Sequence, residues 1–136
     1  MARGFCDSMT DDVFEEKLEG AQVEDSGALS YSNANISSSQ SSLRVYKYGK
    51  VANIYITVFI PGDKQDISAG TEIATIPSGF RPSYQLKLPV AGGVAGGDPI
   101  LTILEISPSG SLFVSLASSG IKKNRYYVVT SSYIVD

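Results

Sequence analysis

From Leu43 onward the chain alternates apolar and polar positions with a period of two, the pattern of strands that bury one face. Leu43-Arg44-Val45-Tyr46-Lys47 is the first such run. Gly49-Lys50 separates it from the next and fits a two-residue type II′ hairpin turn with Gly at its first central position. The run from Val51 to Ile60 is the strongest in the chain. Ala52, Ile54, Ile56, Val58 and Ile60 share a wholly apolar face that belongs in a core. Asn53, Tyr55, Thr57 and Phe59 share an amphipathic face that suits a neighbouring subunit. Pro61-Gly62-Asp63 ends the run. Further strands are expected over Thr71–Ile76, Tyr84–Leu88, Ile100–Ile106, Ser111–Leu116 and Arg125–Val135, with a Gly-rich loop over Ala91–Pro99. Ser107-Pro108-Ser109-Gly110 has hairpin chemistry, since Pro pre-sets a type I turn and Gly supplies a positive φ. Seven or eight short strands punctuated by turns predict an all-β fold, an antiparallel β-sandwich of jelly-roll-like kind.

The N-terminal part reads differently. Ser8 to Gly20 predicts a short helix, capped by Ser8 or Thr10, with Asp11 and Asp12 at its positive end and Gly20 as its stop. Met9, Val13, Phe14 and Leu18 form a narrow apolar stripe, and so short a helix needs a surface to dock on. Residues 1–25 are therefore expected to be an acidic anchoring arm. Residues 26–42, rich in Ser, Asn and Gly, are expected to be a linker with a short strand at Ala28–Tyr31, and 43–136 the globular domain.

Charge sharpens that division. Residues 1–25 hold two basic and eight acidic residues, and the remainder nine basic and six acidic, so an acidic arm precedes a mildly basic domain. The basic residues of the domain are scattered, which argues against a nucleic-acid face. No apolar run approaches the length of a membrane span, and acidic residues stand where a signal peptide needs an apolar stretch. A protein made in a cytoplasm is the expectation.

The chain has no histidine, so it lacks the commonest general base and metal ligand. Cys6 stands beside Asp7, whose charge disfavours a thiolate, and a single cysteine makes no intramolecular disulfide. The domain acids Asp63, Asp66, Glu72, Asp98, Glu105 and Asp136 show no pairing of the kind a glycosidase needs. Asp63 and Asp66 lack the calcium-loop pattern. Gly92 to Asp98 lacks the Gly-Lys-Ser/Thr ending of a phosphate loop. No enzyme activity, metal or cofactor is expected.

The segment Gly70-Thr71-Glu72-Ile73-Ala74-Thr75-Ile76-Pro77-Ser78-Gly79-Phe80-Arg81-Pro82 is the distinctive one. It resembles a motif at the C-termini of phage tail-fibre, baseplate and minor structural proteins. There a Gly-Thr strand leads into Ala-Thr-Leu-Pro, a glycine, an aromatic residue and Arg-Pro. Leu88-Pro89-Val90, the Ile103–Gly110 hairpin and Ser132-Tyr133-Ile134 continue the likeness, so it covers about residues 43–135. Ile76 stands for the usual Leu and Phe80 for the usual Tyr. The resemblance implies a non-enzymatic, homotrimeric knob in a phage particle. Such a knob is expected to bind a host-surface glycan, and the arm, which has no counterpart in the motif, is expected to join it to other virion proteins. A purely structural head-fibre, collar or decoration protein is the alternative. Because tyrosine faces and hydroxyls suit sugars, Tyr84, Asp98, Tyr126 and Tyr127 are the expected ligand contacts. Tyr55, Phe59 and Arg81 are the expected subunit contacts; Pro82 forces Arg81 out of the helical region, so its guanidinium is presented in a fixed direction.

Overall fold

The computed structural model describes residues 23–94 and 97–136. The expected arm helix, with Met9, Val13, Phe14 and Leu18, lies outside the described residues. The rest is all-β and antiparallel, as the alternation predicts. Its strands are β1 (Glu24–Asp25), β2 (Ser42–Tyr48), β3 (Val51–Phe59), β4 (Glu72–Thr75), β5 (Leu86–Gly93), β6 (Ile100–Ile106), β7 (Ser111–Val114) and β8 (Tyr126–Ile134). They form one curled sheet in the order β1-β2-β3-β8-β5-β6-β7-β4.

Two four-stranded halves make up this sheet. In the first, β2 pairs with β3 from Ser42↔Thr57 to Tyr48↔Val51, and β3 pairs with β8 from Val51↔Ile134 to Phe59↔Tyr126. In the second, β5, β6, β7 and β4 follow one another. The strand pairing that joins the halves is short: Gly92 opposite Tyr127 and Gly93 opposite Tyr126. There the sheet turns a corner, and the inner faces of the two halves meet. Leu43, Val45, Ile54, Ile56 and Val58 from the first half form one buried cluster with Leu88, Val90, Leu104, Ile106, Leu112 and Val114 from the second. Each such side chain, fully buried, contributes about 1.5–3 kcal/mol of transfer free energy. Thr102, buried among them, donates its hydroxyl to the Gly120 carbonyl, so its polarity is satisfied.

Turn chemistry follows the residues. Gly49 has φ +61° while Lys50 stays at negative φ, as a type II′ turn requires. Gly110 has φ +94° and its N–H reaches the Ser107 carbonyl at 2.9 Å, closing the β6–β7 hairpin. In β4 the register slips between Glu72 and Ala74, a bulge that lets the consecutive Ile73 and Ala74 both face inward.

The structure corrects three expectations. Residues 26–42 are part of the packed domain: Ile36 is buried in the core and Leu29 and Tyr31 pack against it. The Tyr31 hydroxyl lies 2.7 Å from the Ser42 carbonyl and 3.0 Å from that of Thr57, and burial pushes its pKa up. The Ser32 N–H donates to the Ile73 carbonyl at 2.8 Å, tying the first edge of the curled sheet to the last. Second, the Gly-rich loop begins later than expected, because β5 continues through Gly93. Third, β5 starts at Leu86, so Tyr84 lies in the turn before it.

The corner depends on a missing side chain. A Cβ on Gly92 would collide with the Tyr127 ring, which lies across that backbone in the interior. A Cβ on Gly93 would meet nothing within 4 Å. Gly92→Ala is therefore expected to cost about 1–3 kcal/mol through overpacking, and Gly93→Ala less than about 0.5 kcal/mol. Urea unfolding of the two variants tests this; equal midpoints would overturn the role given to Gly92.

Candidate functional site

The Pro77–Pro82 motif is a knot of bonds within one chain. The Phe80 N–H closes a turn onto the Pro77 carbonyl at 3.1 Å, with Gly79 at φ +93°. The Ile76 N–H donates to the Gly110 carbonyl at 2.7 Å, and Arg81 Nε donates to the Ile76 carbonyl at 2.8 Å. A side chain on Gly110 would collide with Arg81 Nε, so the hairpin glycine and the arginine fit only together. Lys47 Nζ donates to the Gly79 carbonyl at 2.8 Å, stands 5.3 Å from the centre of the Phe80 ring, and pairs with Glu24 at 3.0 Å. The Tyr133 hydroxyl donates to the Phe80 carbonyl at 2.6 Å. Arg81, expected at a subunit seam, thus spends its Nε inside its own chain.

The outer surface of β3 and β8 is the second feature. Its rows run Phe59 beside Tyr126, Thr57 beside Val128, Tyr55 beside Thr130, Asn53 beside Ser132, and Val51 beside Ile134. Tyr55, Tyr126, Val128, Val51 and Ile134 are exposed. Asn53, Tyr55, Thr130, Ser131 and Ser132 line a shallow groove there. Ser132 Oγ donates to Asn53 Oδ1 at 2.5 Å, which leaves the amide N–H groups of Asn53 for solvent or a ligand. The Tyr46 and Tyr55 rings meet edge to face at 5.7 Å. At the rim, Arg44 stands 5.4 Å from the Tyr46 ring centre and grips Asp25 through two bonds of 2.8 and 2.6 Å. The Arg44 guanidinium, helped by the Gly27 N–H, holds the Asp25 carboxyl below the usual carboxylate range.

The expected ligand residues do not converge. Tyr126 stacks on Phe59 with ring centres 4.3 Å apart, and Gln40 Nε2 donates to its hydroxyl at 3.1 Å. Asp98 lies at the same end, because Arg125 bridges the Gly92 and Asp98 carbonyls at 3.0 and 2.6 Å. Tyr84, 77% exposed, lies toward the other end of β8, where the Ser83 N–H meets the Ile134 carbonyl. Tyr127 is 1% exposed and its hydroxyl accepts from the Lys122 N–H at 2.9 Å. It is a core residue and is withdrawn from the ligand surface: neighbours on a strand face opposite ways, and Tyr126 takes the outward position. Gln40 was missed because it lies in the stretch read as a linker. Among the described residues no group of three or more Cys, Asp or Glu is placed to hold a metal. No helix of the described residues is long and apolar enough to cross a membrane.

No family model matches the chain, and no curated protein does. Solved structures that share its fold include two phage receptor-binding structures. One is the head domain of phage bIL170, from work on the receptor-binding domains of lactococcal phages. It aligns with a TM-score of 0.57 and 15% identity over 79% of this chain and 94% of that one. The other is the receptor binding protein of Listeria phage PSA, with a TM-score of 0.64 and 14% identity over 97% of this chain and 77% of that one.

Burial pushes the Tyr133 hydroxyl up to about 12. The unfolded chain ionises a tyrosine near pH 10. This residue therefore favours folding below about pH 10, and its contribution is lost as pH climbs from about 10 to about 12. Tyr133→Phe is expected to cost about 1 kcal/mol at neutral pH through the lost bond to Phe80, and to soften the alkaline decline. Thermal unfolding from pH 8 to 12 checks both; a variant declining as steeply as the parent would refute the assignment.

Proposed function

We propose that this chain is a host-attachment module of a phage virion, a receptor-binding head that works by binding and not by catalysis. The observation that carries this reading is the likeness of fold to a phage receptor binding protein over 97% of the chain. The head is a homotrimer in which Tyr55 and the neighbouring part of the uncharged β3–β8 surface face other copies, with Phe59 at the rim of that contact and Tyr126, stacked on it, outside. Residues 1–25 join it to other virion proteins, and the chain is made in the cytoplasm of the infected host.

Its ligand is a polysaccharide of the host surface. Exposed tyrosine rings offer flat apolar faces to sugar rings, and neighbouring hydroxyl, amide and carboxylate groups offer hydrogen bonds. Tyr126 with Gln40 and Asp98 supplies this chemistry at one end of β8, and the exposed Tyr84 supplies it at the other. The end bearing Tyr126 is the better supported, because several such groups gather there.

Purified chain added in excess is expected to block adsorption of its own phage to host cells. Tyr126→Ala and Asp98→Asn should each raise the concentration needed by tenfold or more. Parent protein that neither labels host cells nor competes for adsorption, yet is present in the particle, would overturn attachment and leave a purely structural virion part.

A further inference from the structure

We propose that residues 8–20 dock as an amphipathic helix on their own domain, across an exposed apolar row at the Gly49–Lys50 end of the sheet. This rests on the arm of the proposed function, and on neither the trimer nor the host ligand.

The first support is the row itself. Register sets Tyr48 beside Val51, and Val51 beside Ile134. Asp25 stands opposite Tyr46 and Glu24 opposite Lys47, so the same register carried on by one residue brings Val23 beside Tyr48. Val23, Tyr48, Val51 and Ile134 are 60, 52, 42 and 51% exposed. Cross-strand partners share a face of the sheet, so the four line up on its outer side. Single exposed apolar residues are normal on any surface, whereas four in a contiguous row mark a place of contact. Three strand spacings make the row about 14 Å wide.

The second support is where the chain enters the domain. Asp25 pairs with Arg44 at 2.6 Å and Glu24 with Lys47 at 3.0 Å, which pins β1 to β2. Residues 1–22 therefore lead to Val23, at one end of the row. At about 100° per residue, a helix over 8–20 puts Met9, Val13, Phe14 and Leu18 on one half of its circumference. Asp11, Asp12, Glu15, Glu16 and Glu19 all fall on the other half. Lys17 lies in the apolar half, where its stem can pack while its charge reaches the margin. From Met9 to Leu18 such a helix is about 15 Å long, which matches the row. The five residues from Leu18 to Val23 span at most about 18 Å, enough for the helix to lie back over all four strands. So short a tether keeps the stripe at about millimolar effective concentration, which favours its own row over a separate partner. With the apolar half down, the five acids face outward, so a virion partner of the arm meets acid and not the stripe.

The test uses the full chain in a Cys6→Ser background. Val51→Cys should react with a maleimide at least tenfold more slowly than Thr75→Cys, on the exposed edge of β4. Adding Val13→Asp and Phe14→Asp should raise the rate at position 51 to that at position 75 and leave position 75 unchanged. A short bis-maleimide should join Lys17→Cys to Lys50→Cys within one chain; neither lysine belongs to the stripe or the row. A thiol at position 51 as open as that at 75 overturns the docking. Protection that survives the arm substitutions overturns it too, because something else then covers the row. Lys17→Cys and Lys50→Cys joined only between chains, or not joined, overturn docking within the chain. Docking that fails in a protein that still blocks adsorption leaves attachment standing, and docking that holds in one that does not block it leaves this inference standing.

Discussion

Tyr127 lies across the backbone of Gly92, and this contact sits where the two halves of the sheet are joined strand to strand. Two residue pairs hold the joint, yet it decides which surfaces become interior. Tyr127 faces in, so Tyr126 and Val128 must face out. Arg125, at the start of the same strand, bridges the Gly92 and Asp98 carbonyls, so the loop after β5 is tied to the corner as well. A larger residue at position 92 would push β5 from β8 and open the seam between halves that share one core. The position of every outer residue on β8, including those proposed to meet host and neighbour, therefore depends on one hydrogen atom where other residues carry a side chain.

Sheet edges show the same economy. A curled sheet that does not close leaves two edges, and open edges invite pairing with other chains. Here the first edge strand is two residues long and acidic, and the last is four residues long and carries a bulge. The Ser32–Ile73 bond brings the two together. Association through backbone pairing is discouraged at both, which leaves side-chain packing on the outer faces as the route by which copies can meet.

Much of this was legible because the period-two pattern is strict where one face is buried. The alternation of β3 placed Ala52, Ile54, Ile56, Val58 and Ile60 inside, and all are buried. Gly49 and Gly110 marked turns because their positive φ excludes most other residues. What escaped was anything that breaks the period. Leu29, Tyr31 and Ile36 are irregularly spaced and held partly by a hydroxyl reaching two carbonyls, so a serine-rich stretch read as a linker. Ile73 and Ala74 both face inward only because of a bulge. Tyr126 and Tyr127 were both expected at the surface, although adjacency on a strand forbids it; the register was in the sequence, but which parity faced inward was fixed by pairing with β3 and β5.

The Pro77–Pro82 motif is held in place from within its own chain. Ile76, Gly79, Phe80 and Arg81 each bond to a partner elsewhere in the same domain: Gly110, Lys47, Tyr133 and the Ile76 carbonyl. Ile76, Gly79 and Phe80 bond through their main chain, so the side chains that can be lost are the donors: truncating Arg81 or Tyr133 leaves the Ile76 or Phe80 carbonyl without its partner, a cost on the order of 1 kcal/mol. Such residues specify a corner and have little freedom to specify a ligand. The recognition proposed for this chain falls instead to exposed side chains, and Tyr84, 77% exposed, is the one least involved in holding the corner. A scaffold that separates its fixed and free residues in this way can keep one fold while its partner changes.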